Sequence, residues 1–303
     1  MIETRASKSF ALRRGDTPVA YASKDELRAT RVSPLLWLNL TCLDAPLVAV
    51  SWQWLFARTF GIPSVPGGAS ALFLTAWLIY LTDRFGDGTS IQLSSPTSLR
   101  QRFALRHRVS WIMMMAVVAA ADFVVIISML PPRTLVVGGA LGAFALFYLT
   151  LNRFVPSLWY RLPLKEISIG FLFAAGVITP LAHGLTSAVR PAWLLFAGLC
   201  SLNCISIAVW ERDFDMAQRR VSIATAFPAV ERCLLVAQLL LSVASGALAF
   251  TATTDRNVLV CVGASAALLA TVHVCRAAVQ ADARTALADL VLLTPVFALL
   301  SQA

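Results

Sequence analysis

The sequence predicts an all-α, polytopic membrane protein with nine transmembrane helices, and three observations predict it. Of 303 residues, 58% are hydrophobic and only 14% charged, whereas a soluble domain is nearer half apolar and about a quarter charged. The mean hydropathy of +0.74 marks more apolar surface than one aqueous core can bury, so a bilayer must solvate the rest. The basic residues, finally, crowd into alternate gaps between apolar runs, as membrane topology requires.

The elements follow in order. Residues 1–33 are polar and charged, with no apolar stretch before a small-residue cleavage site, and read as a cytosolic N-terminal tail. Residues 34–303 read as one nine-helix transmembrane domain. Apolar runs place its spans at 34–57, 68–83, 109–130, 134–152, 165–184, 191–211, 228–251, 257–277 and 284–301. Breakers fall beside the runs: Pro63 and Pro66, Pro131 and Pro132, Pro156 and Pro163, Pro191 and Pro228.

Charge tests this count. With the N-terminus inside, the tail and the even loops carry 21 of the 25 Lys and Arg residues. The opposite side carries Arg58, Arg133, Arg190 and Arg256, one per loop. A missed or false helix would scramble that asymmetry. The C-terminus then lies on the far side of the membrane, a bacterial inner or plasma membrane being the expected location. The net charge of +9 does not imply nucleic acid, because the basic residues are dispersed between apolar runs rather than gathered on one face. The six cysteines lie almost wholly inside apolar runs without metal spacing, and read as small packing residues.

Two acidic clusters stand out. Asp83-Arg84-Phe85-Gly86-Asp87 closes the second span and Glu211-Arg212-Asp213-Phe214-Asp215 the sixth, 128 residues later. An i, i+4 spacing puts Asp83 with Asp87, and Glu211 with Asp215, on one helix face each. Asp213 points elsewhere unless the helix unwinds. Carboxylates at a helix C-terminus meet the negative end of the macrodipole, and like charges four apart repel. A divalent cation reverses both effects, and oxygen-only ligands suit Mg²⁺, which binds few carboxylates together with substrate phosphates. Basic loops follow: Arg100, Arg102, Arg106, His107 and Arg108 after the first cluster, Arg219 and Arg220 after the second, Arg161 and Lys165 before the fifth span. Carboxylates for the metal and arginines for phosphate oxygens suit a diphosphate, and the bilayer suits an isoprenoid tail. Asn39, Asp44, Asp122, Asn152 and Asn203 fall within apolar runs, where polar groups face a bundle interior. Ordinary interfacial ion pairs, with Arg84 and Arg212 as the local partners, are the plainer account of either cluster alone.

On these residues the chain resembles the UbiA superfamily of intramembrane prenyltransferases, from about residue 30 to the C-terminus. The second cluster is similar to that family's D-R-D-x-D variant, with Glu211 for its first Asp. Asp83 and Asp87 fill the last two acidic positions of the first motif, where Ile79 and Tyr80 stand in place of Asn and Asp. Lys165, Glu166, Gly170, Gly176 and Pro180 resemble its fifth helix. The resemblance implies a bundle around a central cavity and a Mg²⁺-dependent transfer of an isoprenoid chain from a prenyl diphosphate to a lipophilic acceptor, aromatic or otherwise. Asp83, Asp87, Glu211 and Asp215 then serve as metal ligands and catalytic residues. Asn39, Arg84, Arg102, Arg106, Lys165, Asn203 and Asp213 are the expected substrate-binding residues. A terpene cyclase of the same fold, and a non-catalytic lipid-binding or transport protein, are the alternatives. The four-helix offset of the two clusters makes any internal repeat parallel rather than inverted.

Overall fold

The computed structural model describes residues 34–89, 98–252 and 254–300, all within one compact unit. The predicted 1–33 tail lies outside the described residues. The described chain is all-helical, with no strand among its residues. Its helices are α1 Pro34–Leu40, α2 Asp44–Thr59, α3 Gly68–Thr89, α4 Leu99–Arg106, α5 Arg108–Met129, α6 Pro132–Phe154, α7 Lys165–Ile178, α8 Arg190–Trp210, α9 Arg212–Ala217, α10 Ile223–Ala226, α11 Val230–Thr251, α12 Arg256–Val274, α13 Ala281–Leu290 and α14 Thr294–Leu300.

Five helical segments are long and apolar enough to cross a membrane: Arg108–Met129, Pro132–Asn152, Ser187–Trp210, Val230–Thr251 and Arg256–Ala278. The other four predicted spans are helical but shorter, interrupted or more polar. The run 34–57 breaks at 41–43, where Cys42 takes φ 57°, a left-handed conformation uncommon outside glycine. The run 284–301 divides into α13, a 3-10 turn at Val291–Leu293 and α14. The run 165–184 is α7 with a 3-10 turn at Thr179–Leu181, and α3 continues beyond residue 83 to Thr89. Local chemistry sets several starts: Pro132 opens α6 and Pro191 the first turn of α8, positions where a missing N–H costs nothing. Ser98 and Gln101 form a capping box on α4.

Burial sorts the long helices. In their most apolar windows α8 and α12 are 50% and 56% buried, whereas α5, α6 and α11 are 11%, 6% and 22% buried. The outer three present Phe123, Ile127, Phe144, Phe147, Val243 and Phe250 on the surface, an apolar area far larger than water tolerates on a monomer. The core joins α2, α7, α8 and α12. Trp52 stacks on Phe196 with ring centroids 4.3 Å apart, and its indole N–H donates to the Leu292 carbonyl at 2.7 Å. Leu199, Val258, Val262 and Ala266 close the cluster.

The tightest approach is that of α7 to α8. A Cβ placed on Gly170 would lie 2.6 Å from Ser201 Cα, and Ser201 Oγ donates across the interface to the Ile167 carbonyl at 3.3 Å as well as to Ala197 at 2.8 Å. Small residues that let two helix backbones touch are the usual means of helix association in lipid. This contact packs α8, which carries Glu211 at its C-cap, against α7.

Candidate active site

The site lies where the C-terminal ends of α3 and α8 meet α4 and α13. Glu211 sits at the C-cap of α8. Its carboxylate forms an ion pair with Arg100 of α4 and accepts from Thr285 Oγ1 of α13 at 3.0 Å. The first turn of α4 is held in turn by Asp282, whose carboxylate accepts from the Leu99 N–H at 3.1 Å. The loop that follows the first acidic cluster is thus fastened to the second cluster and to α13.

Asp215, in α9, accepts from Ser222 and lies near Glu211, Lys165 and Arg220. Burial pushes its carboxyl up to about 6 and the Glu211 charge adds to that, while Ser222, Lys165 and Arg220 pull it back. A carboxyl raised from 3.8 to about 6 favours the folded state fully below the lower value, and that contribution disappears as pH rises through the higher one. At pH 7 the ionised group therefore opposes folding. Asp215→Asn is expected to raise the melting temperature at pH 7, and the gain should fade as pH falls from 6 to 4. A thermal melt series across that range checks it.

The remaining predicted residues distribute as follows. Asp83 is exposed within α3 rather than at its end, and both it and Glu211 act electrostatically on Arg84. Asp87 continues the same helix, and its side chain lies outside those described. Arg102 acts on Asp282, whereas Arg106 and Asp213 are exposed. Lys165 Nζ donates to the Val221 carbonyl at 3.0 Å, and its neighbour Glu166, buried, accepts from the Ile223 N–H at 2.9 Å. The pair tethers the loop after Asp215 to the head of α7. Asn39 donates to Asp44 at 2.7 Å and Asn203 to Asp289 at 2.9 Å. Asp122 accepts from Thr75 at 2.7 Å and joins α3 to α5.

Beneath the mouth is a cavity of about 20 Å³ lined by Ala45, Val48, Tyr80, Ile169, Phe173, Cys200, Asn203, Cys204, Asp289 and Leu292. That is room for one water. Tyr80 is one of its walls.

Mg²⁺ is the ion expected from the sequence, and the donors at the mouth are of the kind it takes, hard carboxylate oxygens, with Asp215 raised first by burial and then by the Glu211 charge. The Arg100 guanidinium stands on Glu211 as the cation such a pair demands. Among the described residues no three Asp, Glu, His or Cys side chains already stand together as a finished cation site. An ion held at Glu211 would require Arg100 to release it. Sequence reasoning missed Thr285, Asp282 and Asp289. Asp289 alone carried a readable signal, an acid inside the ninth apolar run.

No protein-family model, curated protein or solved structure matches the chain.

Proposed function

We propose that the chain is an integral membrane enzyme of the UbiA kind that ionises a prenyl diphosphate and passes the isoprenoid to a lipophilic acceptor, aromatic or otherwise. One observation carries this reading. Two acidic segments, 128 residues apart in sequence, come within electrostatic reach of one arginine: Arg84 feels both Asp83 and Glu211, and Arg100 pairs with Glu211 beside it. Nine spans, with the mouth and the N-terminus on the cytoplasmic side, fit the 21-to-4 distribution of basic residues.

In this proposal Arg84, Arg100 and Arg102 take phosphate oxygens, for which a planar guanidinium is suited. Lys165 adds a further positive charge beside Asp215. Arg106 and Asp213, both exposed, would meet the substrate at the rim. Asp83, Asp87, Glu211 and Asp215 would hold Mg²⁺, which when bound supplies charge neutralisation for the departing diphosphate. The allylic carbon enters between Tyr80, Ile169 and Phe173, side chains that exclude water from a cation. The chain widens the cavity as it enters, since the described volume admits one water.

The test is diphosphate release from geranyl or farnesyl diphosphate by purified protein in nanodiscs. Release that needs Mg²⁺ and stops on chelation is expected. A cyclic olefin formed without acceptor would assign the cyclase. Flux of intact lipid diphosphate across liposomes without turnover would replace the enzyme reading with transport.

A further inference from the structure

At the end of the bundle away from the acidic clusters, α2 closes in a turn beside an open pocket of about 470 Å³, lined by Trp54, Ala57, Arg58, Ile62, Pro63 and Ser64. Gly67 sets the level of this turn. A Cβ placed there would lie 2.6 Å from the Cβ of Met129, the last residue of α5. The turn therefore stands at one end of a long apolar helix, where bilayer meets water. The other end of α5, at Arg108, directly follows α4 and its Arg100.

The turn is rigid for local reasons. The Gly61 N–H donates to the Arg58 carbonyl at 3.4 Å and the Ile62 N–H to the Ala57 carbonyl at 2.8 Å. Gly61 takes φ 63°, the left-handed residue such a helix closure calls for. The Ala57 and Arg58 carbonyls are thereby engaged rather than left as bare acceptors at the pocket. Ile62 is buried against Gly184, where a Cβ would lie 2.7 Å from Ile62 Cγ2, so the pocket wall is fastened to the segment after α7. Arg58 is exposed, and its guanidinium carbon lies 5.8 Å from the centroid of the Trp54 ring, a cation–π distance. Among the described residues no carboxylate forms an ion pair with it. Of the connections at this end only the one before α12 contains an acid, Asp255, against Arg58, Arg133, Arg190 and Arg256.

We infer that this pocket holds the phosphodiester headgroup of an anionic phospholipid, from the leaflet opposite the acidic clusters. The indole of Trp54 steadies one face of the guanidinium and leaves its N–H edge for two phosphate oxygens. The Ser64 hydroxyl offers a further donor. Ala57, Ile62 and Pro63 form an apolar wall for the glycerol and the first acyl carbons, and Trp54 is a residue type that the lipid–water boundary favours. The volume falls among those of ligand pockets, about 300–1,000 Å³. A soluble phosphate would leave the apolar wall uncovered, which is why the occupant is a lipid. The pocket is separate from the acidic site, and its occupancy does not depend on turnover there.

The experiment titrates the full-length protein in neutral detergent with phosphatidylglycerol or phosphatidylcholine and counts bound lipid by native mass spectrometry. Phosphatidylglycerol should be retained where phosphatidylcholine is stripped. Arg58→Gln should bind phosphatidylglycerol roughly 10-fold more weakly, the scale of one lost charge-assisted hydrogen-bonded contact, and should melt like the wild type without added lipid. Arg58→Lys, which keeps the charge without the fork, should fall between the two, and it decides the matter if Arg58→Gln does not fold. Arg133→Gln, at the same end but outside the pocket, should bind like the wild type. Unchanged binding in both Arg58 variants overturns the site. Equal loss in Arg133→Gln overturns it in favour of diffuse surface charge. Displacement of the lipid by an equal concentration of glycerol phosphate or inorganic phosphate overturns the lipid as occupant in favour of a soluble anion.

Discussion

Replacing Asp83 and Asp215 together with alanine is expected to lower diphosphate release from a prenyl diphosphate at least 100-fold, the scale at which loss of a charge-stabilising group appears in enzymes. Neither position is required by the fold in local terms. Asp83 is exposed within α3, which runs on to Thr89. Asp215 is buried beside Glu211 with its carboxyl pushed up to about 6. Substitution relieves Asp215 and costs little at an exposed position, so the variant should melt no lower than the wild type. Activity lost while stability holds or rises is the signature of residues kept for function against folding. The measurement is release rate and melting temperature on the same preparation. A double variant with full activity would remove the acidic clusters from the chemistry. A double variant that fails to fold would assign them to the scaffold.

Gly170→Leu is expected to leave no folded, monodisperse protein. Even the first atom of that side chain would lie 2.6 Å from Ser201 Cα, and a backbone atom cannot move aside as a side-chain tip can. The α7 and α8 helices would have to part, which opens the cluster of Ala174, Val177, Phe196, Ala197, Leu199 and Cys200. It would also break the Ser201 bond to the Ile167 carbonyl. Overpacking of this kind costs about 1–3 kcal/mol even when neighbours can shift, and here they cannot. Gly170→Ala, the milder form, should lower the melting temperature and reduce diphosphate release, because α8 positions Glu211. Size-exclusion chromatography and thermal melts check both variants. A Gly170→Leu protein that elutes and melts like the wild type would show that the α7–α8 contact is looser than described.

The helices were legible because lipid imposes a simple rule: a run of apolar residues bounded by breakers. Five of the predicted runs correspond to long apolar helices on these grounds. The break at 41–43 carried a signal, Pro46 in the first turn of α2, which has no N–H for the Cys42 carbonyl and clashes with it, so that the helix restarts just before the proline. That Cys42 would take the left-handed conformation was not legible. Helix α4 was legible in principle, since Ser98 and Gln101 have capping-box spacing. Within the basic loop, sequence identified the charge but not which arginine meets Glu211. Arg100, Arg102 and Arg106 are equivalent on paper, and only the docking of α4 on α13 through Asp282 and Leu99 selects Arg100. Asn39 and Asn203 were read as polar groups facing the interior, but not their partners: each donates to a buried aspartate, Asp44 and Asp289.

The central claim is that two acidic segments distant in sequence act on one diphosphate. Equilibrium binding of a non-hydrolysable farnesyl thiodiphosphate with Mg²⁺, measured on the wild type, Asp83→Ala, Asp215→Ala and the double variant, tests it most directly. If both segments grip the same head group through shared cations, each single variant weakens binding and the double is little weaker than either, because residues that act through one ligand do not add. Independent, additive losses, or binding indifferent to both substitutions, would contradict the account.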